Sequence, residues 1–211
     1  MTTTSPGFRV AEFAIFIVSV MLHEVSHGWV ALMLGDDTAK RAHRLTLNPL
    51  DHIDPLGSIL VPGLLLLSGT GVVFGWAKPV PVNVSRLRHP RNDAVLTGLA
   101  GPAMNLVLVA IIDVVLHVLH PESFWPLYLL FFAGLINLWL AMFNLIPVPP
   151  LDGSCVIERM LPRRYYHQYL ALRPYTMLLV FAVVIIGDKS GAFNSVFNTI
   201  AAHWQSAAGY G

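Results

Sequence analysis

The sequence predicts an α-helical polytopic membrane protein. It would have about four to six transmembrane helices, with a re-entrant or β-hairpin segment between the first and second. Three observations carry this. Of 211 residues, 55% are hydrophobic and only 12% charged, with a mean hydropathy of +0.63. A soluble domain carries about 25% charged residues, and this much apolar sequence exceeds what one core of this size can hide. The apolar residues also form long uninterrupted runs, and His23, Glu24 and His27 lie inside one of them.

At about 1.5 Å per residue, roughly 20 apolar residues cross the hydrocarbon core. Residues 9–34, 94–119 and 125–146 meet that length, and 174–187 forms a shorter fourth candidate. The stretch 57–74, GSILVPGLLLLSGTGVVF, is barely long enough and is broken by Pro62, Gly63, Gly69 and Gly71. Residues 190–208 are weakly apolar and suit a last helix or an interfacial one.

Basic residues weigh the topology, because cytoplasmic loops are enriched in Lys and Arg. If 57–74 crosses once, Lys40, Arg41, Arg44 and Lys189 oppose the other nine of the 13 basic residues. If it returns as a hairpin, only Arg9 and Lys189 stand apart. The second arrangement has the stronger bias, and it puts loops 35–56, 75–93 and 148–173 in the cytoplasm. The formal net charge of +1 gives no sign of a nucleic-acid partner. The single cysteine, Cys155, excludes an internal disulfide, and MTTTSPGFRV lacks the basic cluster and cleavage site of a signal peptide. One domain over 1–211 is expected, with a core at about 10–160 and a C-terminal helical region at about 165–208.

The chemistry concentrates in MLHEVSHGWVALMLG, residues 21–35. His23 and His27 are four apart and project from one helical face, while Glu24 sits beside them. H-E-x-x-H on a helix is the pattern of two zinc ligands and a general base. Three such side chains within five residues would each cost about 3 kcal/mol in a membrane without a function to retain them. Catalytic zinc takes three protein ligands and keeps one position for water. NLIPVPPLDG, 144–153, offers Asp152 as the third: Pro147, Pro149 and Pro150 forbid regular helix there, and Gly153 permits a sharp turn. The hairpin topology brings His23, His27 and Asp152 toward the same face.

HEVSH in an apolar helix, AGPAMN at 100–105, NLIPVPPLDG, NPLDHIDPLGS at 48–58 and FGWAKPVPVN at 74–83 together resemble the site-two protease family of intramembrane zinc metalloproteases, in its compact prokaryotic branch without a PDZ or CBS domain. The resemblance spans about 10–160. It implies one Zn2+ per chain on His23, His27 and Asp152, Glu24 as catalytic base, and Asn144 as a residue stabilising the reacting carbonyl. It also implies transmembrane regulatory proteins as substrates, and a multi-pass place in a prokaryotic inner membrane with the site toward the cytoplasm.

Other residues carry weaker expectations. Asn105 suits an interhelical bridge. The alternation of Pro79 and Pro81 suits an edge strand whose Val80 and Val82 side pairs with an unwound substrate, or else an inert surface segment. His52, between Asp51 and Asp54, suits a loop hydrogen-bonder, and Asp113 an interhelical polar group. Cys155 suits an apolar filler. The competing function is a zinc-binding membrane protein without protease activity, either a metal carrier or an inactive substrate-binding scaffold. Glu24, a non-ligand beside the histidines, is hard to place in either.

Overall fold

A computed structural model describes residues 6–60, 64, 77–121, 123–162, 164–165, 168–169, 171, 175–176, 191–207 and 209. Among these residues the chain is helical and contains no strand. Its elements are α1 (Pro6–Met33), α2 (Thr38–Arg41), α3 (Pro90–Leu119), α4 (Phe124–Asn144), α5 (Ser154–Met160) and α6 (Ala192–Ala207). Short 3₁₀ turns cover Pro49–His52 and Val84–Arg86, and a π-helical turn covers Pro55–Leu60. Most of the 57–74 stretch and all of the fourth candidate span, 174–187, except Tyr175 and Thr176, lie outside the described residues.

α3 and α4 are long and apolar enough to cross a membrane. Large apolar side chains such as Val107, Ile111, Val114 and Val118 of α3 stay exposed, as lipid-facing positions require. α1, α3 and α4 pack against one another. The Tyr128 hydroxyl donates to Glu12, Asn137 Nδ2 donates to Ser19 Oγ, and the residues following α4 meet His23; α1 and α4 therefore run parallel. α3 runs the other way, with Thr97 beside His27 and Asn105 beside His23. The C-terminal helix α6 docks on α3 and α4 through a buried cluster of Leu116, Leu135, Ile200 and Trp204. Trp204 reaches this place because Gly134 has no side chain to block its ring, and its indole N–H donates to Phe131 O at 3.2 Å.

α1 stops at Gly35, whose φ of +108° suits only glycine without strain. The Gly35 N–H then bonds Leu32 O, and the Asp36 N–H bonds Ala31 O, the paired closure of a Schellman motif. Asp36 is fully buried and gathers the following loop. Its carboxylate accepts from the Thr38 hydroxyl and N–H and from the Asn83 N–H at 2.6 Å, and Arg86 lies 3.8 Å away. Burial alone would raise its pKa; the Thr38 and Asn83 bonds and the Arg86 charge outweigh burial and lower it. The Arg88 N–H donates to Leu34 O at 3.0 Å, so the chain comes back to the end of α1 just before α3 begins.

Candidate metal centre

The centre forms where α1, α3 and the loop after α4 converge. His23 and His27, one turn apart on α1, are both buried, and their Nε2 atoms lie 3.2 Å apart. Asp152 Oδ2 lies 2.9 Å from His23 Nε2 and 3.4 Å from His27 Nε2. Asp152 is put there by the proline-rich loop. α4 ends at Asn144, and the Gly153 N–H returns to Asn144 O at 2.7 Å. Gly153 is needed for this closure, though not for the reason its sequence position suggests. Its φ of −58° is open to any residue, but a Cβ there would sit 2.6 Å from the Leu145 carbonyl carbon and 2.8 Å from Ile146 O. Arg91 of α3 clamps the far side, donating to Arg159 O and Leu161 O at the end of α5.

The hydrogen bonds fix which ring nitrogens carry lone pairs. His27 Nδ1 faces Thr97 O at 2.7 Å, and a carbonyl oxygen only accepts, so Nδ1 carries the proton. His23 Nδ1 faces Asn105 Oδ1 at 2.6 Å, which gives the same assignment. Both Nε2 atoms then turn lone pairs toward each other and toward a carboxylate oxygen that is buried and accepts no hydrogen bond of good geometry. A proton relieves one edge of this triangle; a cation relieves all three. Zinc–ligand bonds of about 2.0–2.1 Å place tetrahedral ligand atoms roughly 3.3 Å apart, close to the separations found here. The residues therefore fit a zinc ion. Gly101 of α3 faces the same space: a Cβ there would lie 2.5 Å from His23 Nε2 and closer still to His27 Nε2.

Glu24 is half-buried beside the cluster, and its Oε2 accepts the Val80 N–H at 3.0 Å. Val80 itself is buried against α1, where Gly28 leaves room for it. Residues 77–83 form no strand, so Val80 and Val82 offer no paired edge in this structure; the Val80 amide serves Glu24 and Val82 is half-buried. Asn144 turns its Nδ2 back to Leu140 O in its own helix at 3.0 Å. Asn105 is fully buried and does bridge helices, but one of its two partners is His23, so it belongs to the metal centre. Thr97, Gly101 and Asn137 complete the centre without having been expected from the sequence.

Three peripheral expectations also resolve. His52 is buried and hydrogen-bonds Thr46 O at 3.0 Å, within its own loop. Asp113 lies 3.6 Å from His117 one turn on in the same helix, and among the described residues it makes no hydrogen bond to another helix. Cys155 packs on Gly98 and lies 3.8 Å from Val95 O. Burial, with the Asp152 and Glu158 charges beside it, pushes its thiol up to about 11, which suits a filler and not a thiolate ligand.

Two buried imidazoles with inward lone pairs, a carboxylate closing the triangle and a second carboxylate alongside make a group that could hold a metal ion, in a helical scaffold with two helices long and apolar enough to cross a membrane. Comparison with known proteins agrees. Residues 122–186 match the model of peptidase family M50. The chain is 43% identical over 155 residues to "Putative zinc metalloprotease YwhC" of Bacillus subtilis (strain 168), covering 69% of this chain and 67% of that one. A Rip2 protein of Mycolicibacterium smegmatis with the same description is 30% identical over 186 residues, 85% of this chain and 68% of its own. MJ0611 of Methanocaldococcus jannaschii, likewise so described, is 28% identical over 161 residues, 72% and 74% of the two chains. No solved structure matches. The chain belongs to peptidase family M50, the site-2 proteases, and is an intramembrane zinc metalloprotease.

Proposed function

We propose that His23, His27 and Asp152 hold the zinc ion and that Glu24 is the general base. The substrates are peptide bonds within or near transmembrane segments of membrane-bound regulatory proteins. The observation that carries the ligand assignment is the locked convergence of the two Nε2 atoms and Asp152 Oδ2. Zinc, when bound, supplies Lewis acidity for water and for a peptide carbonyl. Glu24 takes the proton of the attacking water and hands it to the leaving amine. The Val80 N–H holds Oε2, which leaves Oε1 as the atom that receives the proton. Asn144 keeps a second amide N–H beyond the one spent on Leu140, and that N–H is the candidate donor to the oxyanion. A substrate helix has its interior peptide groups hydrogen-bonded and shielded, so cleavage requires a helix-breaking residue or frayed end.

The topology proposed is a single domain with four to six spans. Residues 57–74 are re-entrant, and the site faces the cytoplasm of a prokaryotic inner membrane. Two features support this. The loop after α1 begins and ends at one face, tied by the Arg88–Leu34 bond. Lys40, Arg41, Arg44, Lys78, Arg86, Arg88, Arg91 and Arg159 cluster at that end of the bundle, whereas Arg9 sits at the other end of α1.

Wild type and Glu24→Gln, purified in detergent, test the assignment through zinc content and cleavage of a transmembrane substrate with a helix-breaking centre. Zinc near one per chain in both is expected, with cleavage reduced by about 10²–10⁴-fold in the variant. A variant that cleaves like wild type removes Glu24 as base, and a wild type without zinc removes the ligand set.

A further inference from the structure

The two zinc-facing imidazoles are aimed by different devices. His27 is fixed directly, its Nδ1–H on the Thr97 carbonyl. His23 meets a carboxamide, and a carboxamide is ambiguous: rotated by half a turn, Asn105 would present NH2 instead of oxygen to the ring. That reversal would demand an acceptor at His23 Nδ1 and move the ring proton to Nε2, where a metal needs a lone pair. Something must hold Asn105 in one sense.

The structure traces that sense to a backbone group. Asn137 of α4 is buried, and its Nδ2 donates to Ala133 O at 2.8 Å and to Ser19 Oγ at 2.9 Å. Ala133 O can only accept, so Asn137 must place its NH2 there and turn Oδ1 the other way. Asn137 Oδ1 accepts from Asn105 Nδ2 at 2.7 Å, which leaves Asn105 Oδ1 to face His23 Nδ1 at 2.6 Å. Asn137, Asn105 and His23 are all buried, away from water that would offer an alternative partner, while the Ala133 bond that anchors them is part-buried. The sequence runs Ala133 carbonyl, Asn137, Asn105, His23, and each step dictates the polarity of the next.

We propose that Asn137 is a positioning residue of the zinc centre. Acting through Asn105, it fixes His23 as the Nδ1–H tautomer and so keeps the Nε2 lone pair aimed at the metal from α4, a helix that supplies no ligand of its own. Ser19 shares the Asn137 amide but does not set its polarity, because a hydroxyl donates or accepts equally well. The proposal rests on His23 being a zinc ligand.

The test uses the full chain in detergent with its histidines labelled with isotopic nitrogen. The tautomers of His23 and His27 are read by NMR in the metal-free protein with neutral rings, and zinc affinity is measured by competition with a chromophoric chelator. In wild type both rings are expected to be protonated at Nδ1. In Asn137→Leu, His23 is expected to lose its fixed tautomer while His27, held by Thr97, keeps its own, and zinc affinity falls about 10–100-fold. Ser19→Ala keeps the Ala133 bond and should retain both the tautomer and affinity close to wild type. Asn137→Leu with unchanged His23 tautomer and unchanged zinc affinity would overturn the proposal, reducing Asn137 to a link between helices. If that variant fails to fold, wild type alone decides: a His23 protonated at Nε2 also overturns it. A wild type that binds no zinc but shows the expected tautomers would sink the ligand assignment and leave the relay standing.

Discussion

Gly101→Ala probes the space between the ligands most directly. The added Cβ would stand 2.5 Å from both Nε2 and Cε1 of His23, and nearer still to His27 Nε2. Ordinary contact begins at about 3.5 Å, so the methyl must retreat by roughly 1 Å. Neither direction is open. Moving α3 away from α1 stretches the 2.6 Å His23–Asn105 and 2.7 Å His27–Thr97 bonds, and turning the rings breaks them. Overpacking of this kind costs about 1–3 kcal/mol, equivalent to roughly 5–150-fold in an equilibrium constant. The methyl also enters the ground an ion bound at about 2.0–2.1 Å needs. Zinc affinity is therefore expected to fall by at least about 100-fold, near the top of that range, when measured by chelator competition. Gly134→Ala supplies the control. Its Cβ would press on the Trp204 ring, so it should lower the unfolding temperature of the metal-free protein while leaving zinc affinity unchanged. Gly101→Ala with wild-type zinc affinity would refute the placing of the metal between His23 and His27 on the α3 side.

Three further outcomes follow from the same geometry. Gly153→Ala puts a Cβ 2.6 Å from the Leu145 carbonyl carbon; it should shift Asp152 and weaken zinc about 10-fold or more, with retained affinity arguing that the loop closes otherwise. Val80→Pro deletes the N–H that holds Glu24 Oε2, so kcat should fall with zinc content intact, whereas Val82→Pro should cleave nearly normally; equal losses would favour a substrate-pairing edge over a contact to the base. Asp36 has a lowered pKa in the fold, so its contribution to stability is present above its ordinary value of 3.8 and is lost as pH falls below that, through the folded value. Asp36→Asn should therefore be less stable than wild type near neutral pH, and the gap in unfolding temperature should close on acidification; a gap that widens toward low pH would contradict the sign.

What the sequence made legible was whatever a membrane makes expensive. His23, Glu24 and His27 stood out because apolar surroundings penalise them, and Asp152 because three prolines had to unwind the chain around it. By its place in the sequence Gly153 reads as a turn glycine, but its constraint is a carbonyl close behind it in space, which dihedral preference does not encode. Over the described residues 77–83 the segment that Pro79 and Pro81 mark as an edge strand or an inert surface segment forms no strand, and its Val80 amide meets Glu24, a contact spanning 56 residues that no local pattern encodes. The least legible part was the shell that orients the metal ligands. Thr97 contributes its main-chain oxygen, which every residue type has, and Ala133 does the same. Asn137 sits in α4 among apolar neighbours, where an asparagine reads only as a helix-bridging polar group until its partners are known. Ligands are chosen by side-chain chemistry and so leave a motif; the carbonyls that fix the ligand tautomers are chosen by where two helices cross, and that choice is written in the small residues of the crossing. Gly101 is the clearest of these, since its missing side chain both brings α3 onto the histidines and leaves the hollow they surround.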